Sequence, residues 1–337
     1  MTRSLSSLAD QRGQSAKQRA AHILDRIVSS VTWLKEERHS LICLVFHSIF
    51  NDNREIAADT ILPQEMVTIG YFRECLQYFS SHEYAFVSPE DVKRGLSDSA
   101  NYILITFDDG YFNNTRILPI LEEYSAPAVF SICTTNVKEG NCFWWDVVYR
   151  QRRQEGRPYK EISRELAALE RQSIEQRDRY VLNLSREKAL RPRGDIDRPF
   201  TPDELKRFAK EKYVLLGNHT RDHAFLPACS PDEMRYQLSG CQQDIMEMTH
   251  KLPVTASYPH GKCTPQVIEA SRKAGLRVGV TGERRKNCFP IKDPMCLGRF
   301  SLCGTQPVTQ QCRIIRSDLT MSRMMDMYRR ITSRQAA

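Results

Sequence analysis

The segment Ile103-Leu104-Ile105-Thr106-Phe107-Asp108-Asp109-Gly110 runs an apolar strand straight into two adjacent acids and a turn glycine. Neighbouring carboxylates repel, so the pair is economical only if each acid has a different task. A metal ion neutralising one, with the other left as a base, is a natural solution. Further along, Tyr213-Val214-Leu215-Leu216 is another apolar strand, and His219-Thr220-Arg221-Asp222-His223 follows it with two imidazoles four residues apart. One carboxylate and two imidazoles make a three-ligand set that leaves a coordination position open for water or substrate.

The pattern around these segments alternates. Strands are expected at Leu41–Phe46, Tyr84–Val87, Tyr102–Phe107, Ala128–Cys133, Tyr213–Gly217, Thr255–Pro259, Arg277–Thr281 and near Cys296–Leu302. Helices are expected at Ala20–Lys35, Tyr71–Ser80, Asn114–Tyr124, Pro231–Met248 and Pro265–Ala274, with Ser88-Pro89-Glu90 and Thr201-Pro202-Asp203-Glu204 reading as helix starts. Strands alternating with helices argue for a parallel α/β sheet, open or closed. His47, Asp108–Asp109, His219 and Pro259–His260 each fall at the C-terminal end of an expected strand, the catalytic face of α/β barrels. Singly, an Asp-Asp-Gly reads as a turn, an H-x3-H as a surface feature and His47 as a buried core histidine. Their shared placement reverses those readings.

From Trp145 to about Arg193 the chain is charged, poor in glycine and rich in Arg and Glu, with apolar residues at helical spacing. This is expected to be a helical insertion between strands rather than a separate domain. The expected organisation is a polar, helical extension over 1–40, a catalytic domain over 41–310 that carries the insertion at 145–195, and a basic tail or helix over 311–337.

With 337 residues the chain can bury a large core, and 41% hydrophobic with 27% charged residues is ordinary for a soluble globular protein. The apolar run Leu41–Phe46 is far too short to span a bilayer. Arg12, Lys17 and Arg19 interrupt the stretch where a secretory signal would have its apolar region. Eleven cysteines, none in a C-x-x-C pair, favour reduced core thiols over a disulfide framework or zinc ribbon. A cytoplasmic protein is the expectation.

The net charge of +8 is uneven: residues 1–40 carry 7 basic and 4 acidic groups, 150–198 carry 14 and 9, and 311–337 carry 6 and 2. These basic segments read either as solvated helical surface or as an attraction to anionic headgroups or a phosphate-bearing substrate, which would make the protein membrane-associated. Nucleic acid is not expected, since no basic stripe interleaved with aromatics occurs.

These residues carry a resemblance to the polysaccharide deacetylases, the NodB-homology group of carbohydrate esterase family 4. Thr106-Phe107-Asp108-Asp109-Gly110 resembles the first motif of that family, and Gly217-Asn218-His219-Thr220-Arg221-Asp222-His223 resembles the second, H-[ST]-x-x-H. Tyr258-Pro259-His260-Gly261 is similar to its Y-P-Y-G or P-P-Y-G motif, and Leu44-Val45-Phe46-His47 to the early Y-H element of one branch. The likeness covers roughly residues 41–305. It implies a distorted (β/α) barrel of the NodB-homology type and a hydrolase acting on the N-acetyl group of an amino sugar in a glycan or glycan precursor. A deformylase or other deacylase of a lipid-linked sugar, and a catalytically silent glycan-binding or scaffold barrel, are the alternatives.

The resemblance implies that Asp109, His219 and His223 bind a divalent metal, and the imidazole pair favours zinc. It implies that Asp108 is the general base and that a backbone N–H within Tyr258, Pro259, His260 and Gly261 stabilises the oxyanion. Many members take their general acid from a late histidine, but this chain has none after His260. The branch with the early Y-H element points to His47 instead, with His260 as the fallback. The arginine usual before the proline motif is also absent, and Arg299 in Leu297-Gly298-Arg299-Phe300 is the candidate that orients Asp108. Trp144 and Trp145, opening the insertion, read either as a stacking platform for sugar rings or as a core patch that anchors the inserted helices.

Overall fold

The computed structural model describes residues 39–185 and 190–317. Nine strands follow in chain order: β1 Ser40–Phe46, β2 Tyr84–Phe86, β3 Asn101–Phe107, β4 Ala128–Ile132, β5 Val214–Asn218, β6 Thr255–Ser257, β7 Val278–Val280, β8 Asn287–Cys288 and β9 Arg299–Ser301. They form one sheet in the order β7-β6-β5-β4-β3-β1-β8, with β2 also on β3 and β9 also on β1. Every pairing is parallel except β1 with β8. The sheet curls on itself. Thr281 N–H donates to Leu297 O at 2.8 Å and Leu297 N–H to Gly279 O at 2.8 Å, so the β7 side meets the segment that continues into β9 against β1. The architecture is the expected distorted α/β barrel.

Alternation along the strands sorts the side chains into two layers. Ile42, Leu44 and Phe46 of β1, Ile103, Ile105 and Phe107 of β3, and Phe130 of β4 pack outward under the helices. Phe46, Phe107 and Phe130 form a ladder across three strands, with centroids 5.2 and 4.9 Å apart. Such pairs add about 0.5–1.5 kcal/mol each beyond their buried area. Leu41, Cys43, Leu104, Val129, Val278, Val280 and Leu297 point inward and fill the barrel floor. The inward parity continues through Thr106 to Asp108 on β3 and through Cys43, paired with Arg299, on β1. The barrel axis therefore changes from hydrocarbon at the floor to ionisable groups at the C-terminal rim.

The insertion consists of three helices, Trp144–Gln154, Tyr159–Leu169 and Ile174–Ser185. Its first helix docks through a second apolar cluster that includes Phe143, Trp145, Val148 and Tyr149. The buried pair Arg150–Asp197, at 2.6 Å, ties that helix to the returning chain, and Asp197 also accepts from the backbone N–H of Arg193 and Gly194. Such satisfaction is what a buried carboxylate requires.

Several elements differ from their expected form. The helix expected at Asn114–Tyr124 is a 3-10 segment, Phe112–Ile117, followed by a short α-helix, Leu118–Glu123, because Pro119 favours a fresh first turn. β8 was not expected, since two residues carry no periodicity. The helix expected at Ala20–Lys35 and the residues beyond 317 lie outside the described residues, and a helix Val308–Arg316 covers the start of the segment 311–337. None of the described helices is long and apolar enough to cross a membrane. Six of the eleven cysteines are buried and none is bridged.

Candidate active site

β3 ends by handing Asp108 and Asp109 to different environments. Asp108 N–H donates to Phe46 O at 2.9 Å, which keeps it in the sheet with an inward side chain. Asp109 and Gly110 then both take positive φ, 75° and 90°, which turns the chain sharply. A Cβ at Gly110 would meet the Ile132 side chain at 3.1 Å, so this position needs glycine on both grounds.

The H-x3-H loop is built with similar economy. Asn218 Oδ1 accepts the N–H of Thr220 at 3.0 Å, and Gln237 Oε1 accepts those of Arg221 and Asp222. Arg221 makes a bidentate pair with the buried Asp244, fastening the loop to the helix Pro231–Thr249. Thr220 and His223 lie at φ 65° and 51°. His219 continues from β5, while the turn brings His223 back toward it.

One donor atom each from Asp109, His219 and His223 lies within 4.8 Å of the others. His219 Nε2 is 3.3 Å and His223 Nε2 3.6 Å from Asp109 Oδ1. His219 Nδ1 lies 2.7 Å from the Ser257 carbonyl and donates to it, which leaves Nε2 as the nitrogen turned toward the carboxylate. Burial, and after it the neighbouring His260 and His219, hold His223 well below the usual histidine range. Both oxygens of Asp109 are buried with no hydrogen-bond donor among the described residues. Three electron-rich groups facing one another without donors are unfavourable alone and suited to a cation.

Arg299 supplies the counter-charge for the neighbouring acid. Its Nη2 lies 2.8 Å from Asp108 Oδ2, Nη1 donates to Thr106 Oγ1 at 3.0 Å, and Nε to Thr281 O at 3.0 Å. Burial opposes the charge of Asp108, but Arg299, with His219 and His47 adding to it, outweighs burial and holds the carboxyl far below the usual carboxylate range. Asp108 Oδ1 has no hydrogen-bond partner among the described residues. His47 stands at the end of β1 with Nδ1 2.9 Å from Glu65 Oε1. Burial lowers its basicity, but Glu65, Asp109 and Asp108 outweigh that and push it up to about 10.

His47, Asp108, His219, His223, His260 and Arg299 share one cavity of about 280 Å³ at the C-terminal rim. Tyr258 and Gly261 also border it, but Tyr258 is buried and donates its hydroxyl to Met295 O at 3.1 Å. Pro259 is buried. His260, at φ 59°, packs its ring 4.8 Å from His223 and sits 3.4 Å from Glu170 of the insertion. The structure does not present Trp144 and Trp145 as an open platform. They are 8% and 5% exposed and packed into the second apolar cluster, together with Phe143, Val148 and Tyr149 of the same segment.

Three participants carried no usable sequence signal. Glu65 is an isolated acid in a loop. Asp146 reads as a first-turn helix acid. Tyr111 follows the acid motif directly, and that adjacency is the one hint it offers.

Residues 96–279 match the family model for polysaccharide deacetylases. The chain belongs to that family, the NodB-homology group, and is a hydrolase of the deacetylase kind. It is 20% identical over 273 residues to the polysaccharide deacetylase homologue YxkH of Bacillus subtilis (strain 168), across 79% of this chain and 74% of that one. Among solved structures it is similar to the deacetylase PplD of Streptococcus pyogenes in complex with acetate, with TM-score 0.56 and 17% identity over 82% of this chain and 99% of that one. It is also similar to IcaB from Ammonifex degensii, with TM-score 0.57 and 15% identity over 83% and 99%. At these identities the structural likeness is one of fold.

Proposed function

We propose that this deacetylase is metal-dependent and removes the N-acetyl group from an amino sugar in a glycan or glycan precursor. The observation that supports it most is the convergence of Asp109, His219 and His223 with both Asp109 oxygens buried and unpartnered. These three residues would hold the ion, and an imidazole-rich set favours zinc. When bound, it would supply Lewis-acid polarisation of the acetamide carbonyl and a lowered pKa for the attacking water.

The chain's own groups account for the proton traffic. Asp108, kept ionised by Arg299, takes a proton from the attacking water through its open Oδ1. Of the proline-motif residues, Pro259 has no N–H, and those of Tyr258 and Gly261 donate to Val280 O and Tyr258 O. The His260 N–H is therefore the donor for the oxyanion. As the C–N bond breaks, His47 gives its proton to the leaving amine, and Glu65 holds the ring in place. A C–O bond has replaced the C–N bond, and the products are acetate and a free amino sugar.

The test is metal content by elemental analysis together with acetate release from free, nucleotide-linked, lipid-linked and oligomeric N-acetylated amino sugars. The expected result is release that a chelator abolishes and zinc restores. Undiminished release from metal-free protein, or a zinc-loaded protein inert on every substrate, defeats the proposal.

A further inference from the structure

The two ligand histidines are oriented differently. His219 is fixed by the hydrogen bond from Nδ1 to Ser257 O, whereas His223 Nδ1 is buried with no partner among the described residues. Metal-binding imidazoles ordinarily owe their orientation to a hydrogen bond from the second ring nitrogen. His223 is instead boxed by rings: Trp145 at 4.7 Å and 55°, His219 at 4.9 Å and His260 at 4.8 Å. His219 and His260 belong to the site, so Trp145 is the wall that comes from outside it.

Trp145 is itself held firmly. It stacks on Phe143 with centroids 5.1 Å apart, and its Nε1 donates to Tyr111 Oη at 2.8 Å. Tyr111 Oη donates to Asp146 Oδ2 at 2.7 Å, and Asp146 Oδ1 accepts the Leu62 N–H at 2.8 Å. Every polar atom in this buried chain is paired, which is the condition under which such a network confers rigidity. Tyr111 lies two residues after Asp109 on the same turn. The network thus links the backbone that presents one ligand to the ring that packs against another.

We infer that Trp145, pinned by Tyr111 and Asp146, is a positioning residue that sets the orientation of the His223 ring and thereby the metal affinity of the site. The inference rests on the metal-dependent reading above. It gives the insertion a task other than sugar stacking: its first helix buttresses the ligand set from behind. Removing the tyrosine hydroxyl leaves the indole N–H without an acceptor and frees the ring to tilt, and His223 follows.

The experiment measures zinc affinity by competition with a chromophoric chelator, and the visible d–d absorption of the cobalt-substituted protein. Wild type is compared with Tyr111→Phe, Trp145→Phe, Trp145→Ala, His223→Ala and Tyr149→Phe. Tyr149 is the control, since it too is a buried tyrosine packed with the insertion, donating to Asp59 at 2.6 Å and away from His223. Expected are a zinc affinity about 10-fold weaker or more for Tyr111→Phe and Trp145→Ala, a partial recovery in Trp145→Phe, and an altered cobalt band. Tyr149→Phe should lose stability but keep wild-type affinity and spectrum. If His223→Ala loses zinc while Tyr111→Phe and Trp145→Phe keep wild-type affinity and band shape, the positioning role is wrong and the metal reading stands. Equal loss in Tyr149→Phe makes the effect general loosening and overturns the inference. A wild-type protein that binds no zinc overturns the inference and its premise together.

Discussion

Glu65 Oε1 lies 2.9 Å from Nδ1 of His47, both side chains largely out of water at the cavity wall. The contact joins the end of β1 to a loop eighteen residues later. Together with Asp109 and Asp108 it offsets burial and pushes the imidazole, which borders the cavity, up to about 10.

A first prediction concerns that dyad. His47→Gln should bind metal normally and slow amide hydrolysis by about 10²–10⁴-fold, the usual contribution of a positioned acid. Glu65→Gln should retain part of the rate, with the alkaline limb of its pH–rate profile moved to lower pH because the carboxylate no longer favours the protonated ring. His260→Ala should be milder than His47→Gln. A near-normal His47→Gln beside a crippled His260→Ala would move the acid to the proline-motif loop.

The adjacent acids should separate cleanly. Asp109→Asn and His223→Ala should both lose metal, whereas Asp108→Asn should retain it and lose turnover by about 10²–10⁴-fold. Elemental analysis beside single-turnover rates distinguishes these outcomes. Equal metal loss in both aspartate variants would make Asp108 a ligand.

Arg299→Ala should expose how much the buried pair matters. Breaking one partner of such a pair typically costs about 3–5 kcal/mol, because the remaining charge is left in a poor solvent. Asp108 should then bind its proton more tightly, so the acidic limb of the pH–rate profile moves to higher pH in whatever protein remains folded. An unmoved acidic limb would mean that Arg299 does not govern Asp108.

Asp146 should give stability an unusual pH dependence. Burial pushes its carboxyl up to about 8, against an ordinary value near 4. Between those values the unfolded chain has released a proton that the folded one keeps, so raising the pH favours unfolding. This contribution is largest below about pH 4 and is lost by about pH 8. Asp146→Asn removes the titrating group while keeping an acceptor for the Leu62 N–H. Urea midpoints at pH 5 and pH 8 should differ less in the variant than in wild type. Identical differences would mean that Asp146 ionises normally.

Strand-end placement was legible in the sequence because the period of a parallel strand and the chemistry of its last residue are both local. His47, Asp108, Asp109 and His219 each close or follow an apolar strand whose pattern is written in the chain itself. Most strand limits were legible to within a residue or two, as with Leu41–Phe46 against Ser40–Phe46, whereas the strand expected near Cys296–Leu302 begins only at Arg299. β8 was not, because its two residues are ordered by pairing with β1 rather than by their own preferences.

What only the tertiary structure decided lies between segments. The cross-strand register that sets Cys43 opposite Arg299 aims the guanidinium at Asp108 across the barrel, and no spacing along the chain encodes that pairing. The left-handed backbone at Asp109, His223 and His260 is held by surrounding contacts against the local preference of those residues. Whether Trp144 and Trp145 face a ligand or the core depended on how the insertion packed, a long-range matter, and both are buried in the second apolar cluster. Composition and periodicity report what one residue does to its neighbours in the chain. Burial, register and the pairing of distant charges are properties of the closed barrel, and they assigned Glu65, Tyr111 and Asp146 their places.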